Sequence, residues 1–457
     1  MNRISRREFL KIASVGGAVL STGSHLRAAG ARKDKPNIVF VFADQMRACA
    51  MGCMGDKQVI TPNLDKLATE GVLVTNAISC QPVCTPFRAQ LMTGRYGHAT
   101  GVIHNDIKLP NSETTVAEVL KARGYQTGYI GKWHLEETRK DPVAAKNRQG
   151  WDYWAVRNCS HRHFNTYYWL RDGRKPVPVK GWEPVVQTDL AIDYIKRQKD
   201  NPFCLFVSFG PPHNPYKAPQ RYLKMYADKK LTSRPNAPND KTERLRNYYA
   251  MITSLDDCIG RISNALHAAG ISEDTVLCFS SDHGDMLGSQ GHVLKQRPWE
   301  ESINVPFILR YPRKVKPAQK RDWLVTSVDF MPTLLGLAGA EVPKQVQGMD
   351  FSATLCGESK TERDAAFLFN VHRGGGPGCD WRGIRTKKWV YAFHKFGDWI
   401  MYDLENDPYQ LKNLIDDPKY AAQKKLLQQQ LAKMRKDLGE NIPLAGKTPA
   451  PIRLPER

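Results

Sequence analysis

Five apolar runs rich in β-branched and aromatic residues recur along the chain, each about as long as a strand. The runs cover residues 37–43, 125–131, 203–209, 275–281 and 305–310. Continuous apolar runs of this length predict strands that are buried on both faces of a mostly parallel sheet. Helical patterns lie between them, so the sequence predicts an α/β protein whose large, mostly parallel sheet is sandwiched by helices.

Three of the intervening segments carry clear helix signals. One starts at residues 61–68, a second spans residues 115–124 and stops at a glycine, and a long one covers residues 245–269 and ends at Gly270. A glycine just past the last periodic residue is a common helix stop. These segments are therefore predicted to cover the sheet.

The pattern of apolar and polar residues changes after about residue 360. Residues 383–393 and 399–404 predict antiparallel strands, and a helix over residues 421–438 leads into a proline-rich tail. We therefore expect a main domain over residues 32–360. A smaller C-terminal α+β subdomain with a short antiparallel sheet, together with the tail, is expected over residues 361–457.

The N-terminal segment has the three parts of an export signal. Arg6 and Arg7 precede a short apolar run, residues 12–20, and small residues follow at 28–31. Residues 1–31 thus resemble a twin-arginine signal peptide, which engages the twin-arginine translocation machinery and exports folded proteins. The run is too short to span a bilayer, so no stable membrane anchor is expected. The mature chain is predicted to be periplasmic or secreted, and a basic amphipathic tail is the alternative.

Net charge narrows the class of partner. The chain carries +21 at pH 7, and residues 1–28 hold five basic and one acidic side chain, so the mature chain keeps +17. Such a surface attracts polyanions in general. Because no nucleic-acid-binding module or base-stacking motif is apparent, we expect an anionic substrate and no nucleic acid.

Polar residues follow four of the apolar runs at the point where each run ends. They are Asp44, Lys132 with His134, His213, and Asp282 with His283. The carboxyl ends of parallel strands meet at one edge of a sheet, where ligands bind in open α/β folds. The sequence therefore predicts one site to which all four runs contribute.

Cys84 opens the segment with the strongest chemical signal. Pro86 suits the first turn of a helix and Gly94 suits its end, so Cys84 is expected at a helix N-terminus that favours an anion. Arg88, one turn later, can point back at the same spot. The alternatives are a buried cysteine before an ordinary helix, or a four-thiolate zinc site with Cys49, Cys53 and Cys80, although that spacing is looser than usual for zinc.

Cys84, Pro86 and Arg88, followed by Leu-Met-Thr-Gly-Arg at 91–95, resemble the signature of the type I sulfatases of the alkaline phosphatase superfamily. The resemblance implies an alkaline-phosphatase-like fold and a maturase that oxidises Cys84 to formylglycine. In that family the aldehyde hydrates to a geminal diol. One hydroxyl attacks sulfur, and the other allows sulfate to leave.

The resemblance also implies a divalent metal site. Its ligands would be Asp44, Gln45, the modified Cys84, Asp282 and His283. Carboxylate oxygens suit Ca²⁺, and an imidazole ligand leaves Mg²⁺ or Mn²⁺ open. Many relatives have an acidic residue where this chain has Gln45, so the site loses one negative charge.

Further family positions imply roles for the cations around Cys84. Lys132 and Lys295 would neutralise sulfate oxygens, and His134 would be the base that releases sulfate. His213, with Lys295, would face the leaving-group oxygen and protonate it, and Arg88 would complete the catalytic set.

Two further predictions concern the edge of this site. His292 is predicted to contact substrate, whereas residues 157–163, which are rich in histidine and arginine, are interpreted as an ordinary exposed loop with substrate contact as the alternative.

The sequence therefore predicts an enzyme that hydrolyses a sulfate ester, on a sulfated polysaccharide or oligosaccharide, with a formylglycine and a metal. Two alternatives remain. One is a phosphomonoester or phosphonate hydrolase of the same superfamily, because sulfate and phosphate esters share tetrahedral geometry. The other is a non-catalytic polyanion-binding relative that keeps Cys84 unmodified.

Overall fold

A computed structural model describes residues 35–171, 173, 175–238, 242–372 and 380–445. The predicted signal peptide, residues 1–31, and the proline-rich tail after residue 445 lie outside the described residues. Among the described helices, none has both the length and the apolar character needed to cross a membrane.

Most described strands belong to one large sheet. Their bounds are β1 (Asn37–Asp44), β2 (Val72–Ile78), β3 (Gln126–Lys132), β4 (Tyr153–Arg157), β5 (Tyr167–Leu170), β6 (Val177–Pro178), β7 (Phe203–Pro212), β8 (Thr275–Ser281), β9 (Asn304–Val305), β10 (Phe307–Arg310) and β11 (Gln319–Thr326). The order is β11-β2-β10-β8-β1-β7-β3-β4-β5-β6, with β9 paired to β2. The predicted mostly parallel sheet is confirmed at its centre, because β8, β1, β7, β3 and β4 are mutually parallel.

The fifth apolar run has the opposite direction. It forms β9 and β10, and β10 pairs antiparallel with β8, with Phe307 opposite Ser280. Its start, rather than its end, therefore lies at the edge to which the other runs bring their polar residues. That reversal explains why polar residues precede this run in the sequence.

Helices cover both faces of the sheet. Their bounds are α1 (Pro62–Thr69), α2 (Cys84–Thr93), α3 (Gly97–Thr100), α4 (Val116–Ala122), α5 (Glu183–Gln198), α6 (Gln220–Lys224), α7 (Thr242–Ala268), α8 (Glu300–Ile303), α9 (Phe330–Leu337), α10 (Ser352–Leu355) and α11 (Ala421–Asp437). The helix signals near residues 61, 115 and 245 thus correspond to α1, α4 and α7, and the predicted C-terminal helix is α11.

The alternation of side chains along β1 shows why both faces must be covered. Val39 and Val41 belong to a buried cluster that includes apolar residues of α5 and α7. Ile38 and Phe40 belong to a second cluster, formed with α2, α4 and α9. Each such side chain contributes roughly 1.5–3 kcal/mol by its removal from water, so neither face of this strand is stable in solvent.

The C-terminal region forms the expected small antiparallel sheet. It contains β12 (Ala365–Asn370), β13 (Trp381–Thr386), β14 (Trp389–His394) and β15 (Gly397–Asp403), in that order. The segments predicted as antiparallel strands, residues 383–393 and 399–404, lie in β13, β14 and β15, and Lys387 and Lys388 separate β13 from β14. Trp399 packs edge-on against Trp299 of the main region, with ring centroids 5.2 Å apart. The predicted division at residue 360 stays a prediction.

Candidate active site

The register of the central strands brings two carboxylates together. Asp44 ends β1, and Asp282 follows β8 directly. Since Ala43 pairs with Ser281 in this parallel ladder, the next residues emerge side by side. The backbone N–H of Asp282 donates to the carbonyl of Ala43 at 3.1 Å. The carboxyl edge of the sheet therefore fixes both side chains before any ligand is considered.

Helix α2 presents Cys84 to these carboxylates. The helix begins at Cys84 and ends before Gly94, whose φ of 64° is the left-handed conformation predicted for its stop. The Sγ of Cys84 lies 3.7 Å from Oδ1 of Asp44 and 3.4 Å from Nε2 of His283. Every residue of α2 is buried, so the thiol is held in place by the core.

Four side chains form a compact set of candidate metal ligands. One ligand atom from each of Asp44, Cys84, Asp282 and His283 lies within 4.8 Å of the others, and all four residues are buried. The Nδ1 of His283 lies 2.9 Å from the carbonyl oxygen of Gly284, which leaves Nε2 facing the cluster. The donor set of two carboxylates and an imidazole fits a divalent cation.

Gln45 completes this set with an amide oxygen. Its side-chain nitrogen donates to Asp285 at 2.8 Å, and its Oε1 is buried with no hydrogen-bond partner among the described residues. The backbone has φ of 70°, and its N–H donates to Oδ1 of Asp282 at 3.0 Å. A buried acceptor without a donor is costly, so Oε1 fits a position that a cation would fill.

Two lysines lie close to the thiol of Cys84. Nζ of Lys132 lies 2.5 Å from Asp44 and 3.4 Å from the Sγ of Cys84. Nζ of Lys295 lies 3.2 Å from the same sulfur and 2.9 Å from Nε2 of His213. The structure therefore brings Lys132, Lys295 and His213 to one point, as the sequence predicted.

Arg88 lies beneath the carboxylates. Its Nη2 is 3.1 Å from Oδ2 of Asp282 and 3.4 Å from Oδ2 of Asp44, and its Nη1 donates to the carbonyl of Lys132 at 2.6 Å. None of the hydrogen bonds described for Arg88 reaches the thiol. Its contacts are those of a residue that positions the carboxylates and the end of β3.

The lysines favour the ionised forms of Asp44 and Cys84. Burial alone raises the pKa of Asp44, but Lys132 and the other nearby cations outweigh it and hold that pKa well below its usual range. Burial and Asp44 also oppose ionisation of Cys84, yet Lys132 and Lys295 hold its pKa well below the usual thiol value. The site therefore stabilises an anion at residue 84.

His134 has an acidic partner that the sequence did not indicate. Its Nε2 lies 3.2 Å from Asp106, which also accepts from Arg139 at 2.8 Å. Burial lowers the pKa of His134, but Cys159 and Asp106 outweigh that effect and raise it to about 9. Asp106 lies on a loop without periodicity, so no sequence pattern could have found it.

Cys159 was also missed. Burial raises the pKa of its thiol, but Lys132 and His134 outweigh burial and lower the pKa to about 4. His161 stacks on His213 with ring centroids 4.0 Å apart and nearly parallel planes. The interpretation of residues 157–163 as an ordinary exposed loop is therefore wrong, because the segment lines the site.

The buried part of this segment is anchored by an ion pair. Both Nε and Nη2 of Arg157 donate to the carboxylate of Glu183, each at 2.6 Å, and both side chains are fully buried. His163 lies on the same network, with its Nε2 2.6 Å from the carbonyl of His213. The pair thus holds the segment against β7.

His292 is placed differently from the other predicted residues. Its ring packs on Trp299 with centroids 5.3 Å apart, and the residue is buried. Its predicted substrate contact stays a prediction. The nine described cysteines are free thiols, and the only candidate metal cluster among the described residues holds Cys84 without Cys49, Cys53 or Cys80. This geometry does not support the four-thiolate zinc alternative.

Comparison with known proteins identifies the scaffold. Residues 36–340 match the family model Sulfatase, and residues 288–437 match the model N-sulphoglucosamine sulphohydrolase, C-terminal. An "Ulvan-active sulfatase" of Formosa agariphila is 39% identical over 426 residues, which cover 89% of this chain and 82% of that protein.

Solved structures agree. The putative sulfatase yidJ from Bacteroides fragilis has 32% identity and a TM-score of 0.82, with 89% of this chain and 96% of that chain covered. A second solved protein, in complex with its substrate D-glucosamine-2-N,6-O-disulfate, has 26% sequence identity and a TM-score of 0.81. The match covers 90% of this chain and 99% of that chain. The predicted alkaline-phosphatase-like fold is confirmed.

The chain belongs to the sulfatase family. It is a sulfuric ester hydrolase, as the sequence predicted.

Proposed function

We propose that this sulfatase releases sulfate from a sulfated polysaccharide or oligosaccharide, through a formylglycine made from Cys84 and a divalent cation, with Ca²⁺ favoured. The observation that carries the proposal is the position of the Cys84 sulfur, in contact with Lys132 and Lys295 and beside the buried carboxylates. The carbohydrate class is supported by the relative named as ulvan-active and by the neighbour bound to a glucosamine disulfate.

The absent groups would complete the chemistry of the site. Formylglycine at residue 84 would supply a hydroxyl nucleophile, and a cation held by Asp44, Gln45, Asp282 and His283 would add positive charge beside the sulfate oxygens. Lys132 and Lys295, which both contact the Cys84 sulfur, would bind those oxygens, and Arg88 holds the carboxylates in position.

The leaving-group proton is assigned to Lys295. Burial and Lys295 hold the pKa of His213 well below its ordinary value, so its imidazole is neutral. Its Nδ1 lies 2.7 Å from the carbonyl of Asn214, which makes Nδ1 the donor and leaves Nε2 as an acceptor from Lys295. The ammonium of Lys295 can then pass a proton to the alcohol oxygen as the S–O bond breaks, while His213 orients that ammonium.

The modification has a sharp test in the tryptic peptide of residues 67–88, which holds both Cys80 and Cys84. Protein co-produced with a maturase is reduced, denatured and alkylated before mass spectrometry. We expect one alkylated thiol, at Cys80, and an aldehyde at residue 84. Cys80 serves as the internal control. Two alkylated cysteines in active protein would contradict the formylglycine mechanism.

The metal is tested by chelation. Exhaustive chelation is expected to abolish sulfate release, and Ca²⁺ is expected to restore it, with Mg²⁺ and Mn²⁺ tested in parallel, because carboxylate oxygens suit hard divalent cations. Asp282→Asn should weaken restoration, whereas Asp141→Asn, an exposed acid elsewhere, should leave it unchanged. Full activity after chelation would exclude the metal.

We also propose that the twin-arginine segment directs the folded, modified protein to the periplasm or outside the cell. The proposal rests on Arg6 and Arg7 and the short apolar run after them. Replacing both arginines by lysine keeps the charge. We expect this double variant to accumulate inside the cell in active form, while the unaltered chain is exported. Export of the double variant at the unaltered rate would argue against this route.

A further inference from the structure

A second polar cavity, of about 380 Å³, lies beside the loop that follows β1. The residues that line it belong to the segments 47–58 and 232–235, together with Tyr249 and Tyr409. None of them belongs to the cluster of Asp44, Cys84, Asp282 and His283. Its volume is in the range of pockets that hold small ligands.

Arg47 is the central feature of this cavity. The residue is only 4% exposed, yet its guanidinium makes no hydrogen bond or ion pair among the described residues, and its Nε is buried without a partner. A guanidinium cannot lose its proton to escape burial. Glu301, which does not line the cavity, attracts the Arg47 guanidinium but forms no ion pair with it and is bonded to Arg234 instead. A buried guanidinium without a hydrogen-bond acceptor is unfavourable, and its position on a cavity wall points to an anion as the missing acceptor.

Contacts with helix α7 hold Arg47 in this position. Its backbone N–H donates to the hydroxyl of Tyr248 at 3.0 Å, and that hydroxyl donates to the carbonyl of Gln45 at 2.9 Å. The guanidinium lies 5.8 Å from the centre of the Tyr248 ring. Tyr248 of helix α7 thus holds the backbone of Arg47 and packs against its guanidinium.

Two further cations line the same cavity. Arg234 uses Nε to pair with Glu301 at 2.8 Å and lies over the ring of Tyr409, and no other hydrogen bond of its guanidinium is described. Lys57 is exposed at the rim. Asp56 is the only carboxylate of the lining, and it already accepts from Tyr249 at 2.6 Å. Cations therefore outnumber acids three to one on the wall.

Hydrogen bonds join the two segments that line the cavity. The side-chain amide of Gln58 accepts from the backbone N–H of Thr232 at 2.7 Å and donates to its carbonyl at 3.0 Å, which joins the two lining segments. We propose that this cavity is a second oxyanion site, which binds a sulfate or carboxylate group between Arg47, Arg234 and Lys57. The anion is either free sulfate or an acidic group on the substrate chain, since both present the same oxygens to a guanidinium.

The test measures binding of inorganic sulfate to the full-length, metal-loaded protein by calorimetry. In parallel, inhibition of 4-nitrophenyl sulfate hydrolysis by sulfate reports the Cys84 site alone. We expect two sulfate sites by calorimetry. Arg47→Met should weaken one of them by at least about tenfold, while the inhibition constant stays within about twofold. The heat signal needs no turnover, so it stands even where the formylglycine mechanism fails.

Controls keep the result interpretable. Should Arg47→Met fail to fold, the double variant Lys57→Ala, Arg234→Gln removes the two other cations of the same site. Lys419→Ala, which removes an exposed lysine elsewhere, is its control. A single sulfate site whose dissociation constant equals the inhibition constant would overturn the proposal. So would equal binding by wild-type and folded Arg47→Met protein.

A sulfated oligosaccharide distinguishes the two sources of the anion. With the anion on the substrate chain, Arg47→Met raises KM for the oligosaccharide at least about fivefold and leaves that for a monosulfated monosaccharide unchanged. With free sulfate as the ligand, both KM values stay unchanged and only the second binding heat is lost. Either outcome supports the site.

Discussion

At the scale of single residues, the environment of His134 determines when it can act as a base. Its pKa is raised to about 9 because Cys159 and Asp106 favour the imidazolium more than burial opposes it. Since the folded-state pKa is raised, the charged form persists at neutral pH. The neutral form, which accepts a proton, accumulates only as pH rises through about 9.

This predicts an ascending alkaline limb in the pH profile. We expect kcat for a small aryl sulfate to rise by about tenfold per pH unit from pH 7 to about 8.5, provided that His134 acts in the rate-limiting release of sulfate. Asp106→Asn removes one anion and lowers the pKa of His134, so its limb should lie at lower pH. Asp141→Asn makes the same charge change on an exposed residue and should leave the limb in place. Coincident limbs for Asp106→Asn and wild type would contradict the assignment.

The assignment of the leaving-group proton to Lys295 makes a second prediction. An alkoxide leaving group needs a proton in order to depart, whereas 4-nitrophenolate departs with almost no help from a proton donor. We therefore expect Lys295→Met to lower kcat/KM for a sugar sulfate by about 10²–10⁴-fold and that for 4-nitrophenyl sulfate by clearly less.

Lys295→Arg is the matched variant, because it keeps the charge but holds its proton more tightly. It should retain substrate binding and still lose activity toward the sugar sulfate. An equal loss on both substrates for Lys295→Met would assign Lys295 to sulfate binding alone.

At the scale of elements, one ion pair fixes the loop that carries Cys159 and His161. Arg157 is the last residue of β4 and Glu183 is the first of α5, so their two hydrogen bonds of 2.6 Å join a strand end to a helix start. Both side chains are fully buried. Removing one charge leaves the other buried and uncompensated.

Glu183→Gln should therefore lower the free energy of unfolding by about 3–5 kcal/mol, measured by urea denaturation of the metal-loaded protein. The double variant Arg157→Met, Glu183→Leu removes both charges and should cost less than Glu183→Gln alone. A loss below about 1 kcal/mol for Glu183→Gln would show that the pair is solvated rather than buried.

The central strands could be predicted because strands that are buried on both faces have continuous apolar sequences. The runs that end at Asp44, Lys132, His213 and Asp282 are parallel strands, as expected. Strand β11 was missed because none of its first five residues is buried, so this edge strand has no continuous apolar run. The direction of β10 was not predicted, because strand direction depends on the connection between strands, and the polar residues that precede the run are only an indirect sign of it.

The site divides in the same way. Asp44, Cys84 and Asp282 follow from strand ends, a helix start and a family signature. Asp106 and Cys159 do not, because they reach His134 through loops whose path depends on tertiary packing. Sequence spacing predicts neighbours only where a regular element sets the geometry.

At the scale of the whole molecule, the two sheets are joined by a shared apolar core. Ile78 and Trp299 of the main region belong to one buried cluster with Trp381 and Ile400 of the C-terminal sheet. Main-region elements and the small sheet thus bury part of their apolar surface against each other. The full chain carries a net charge of +21, of which +17 remains without residues 1–28.

That charge should act on long substrates far more than on short ones. Exposed cations attract a polyanion over distances of about one Debye length, roughly 10 Å at 0.1 M salt and 3 Å at 1 M. We therefore expect kcat/KM for a sulfated polysaccharide to fall by at least about tenfold between 50 mM and 500 mM NaCl. The value for 4-nitrophenyl sulfate should change by less than about threefold, because its single sulfate meets buried cations that salt screens weakly. Steady-state kinetics on both substrates, in chloride rather than sulfate salts, makes the comparison. An equal decline of kcat/KM for both substrates would mean that salt acts on the active site itself. The net charge of the molecule would then make no contribution to polysaccharide binding.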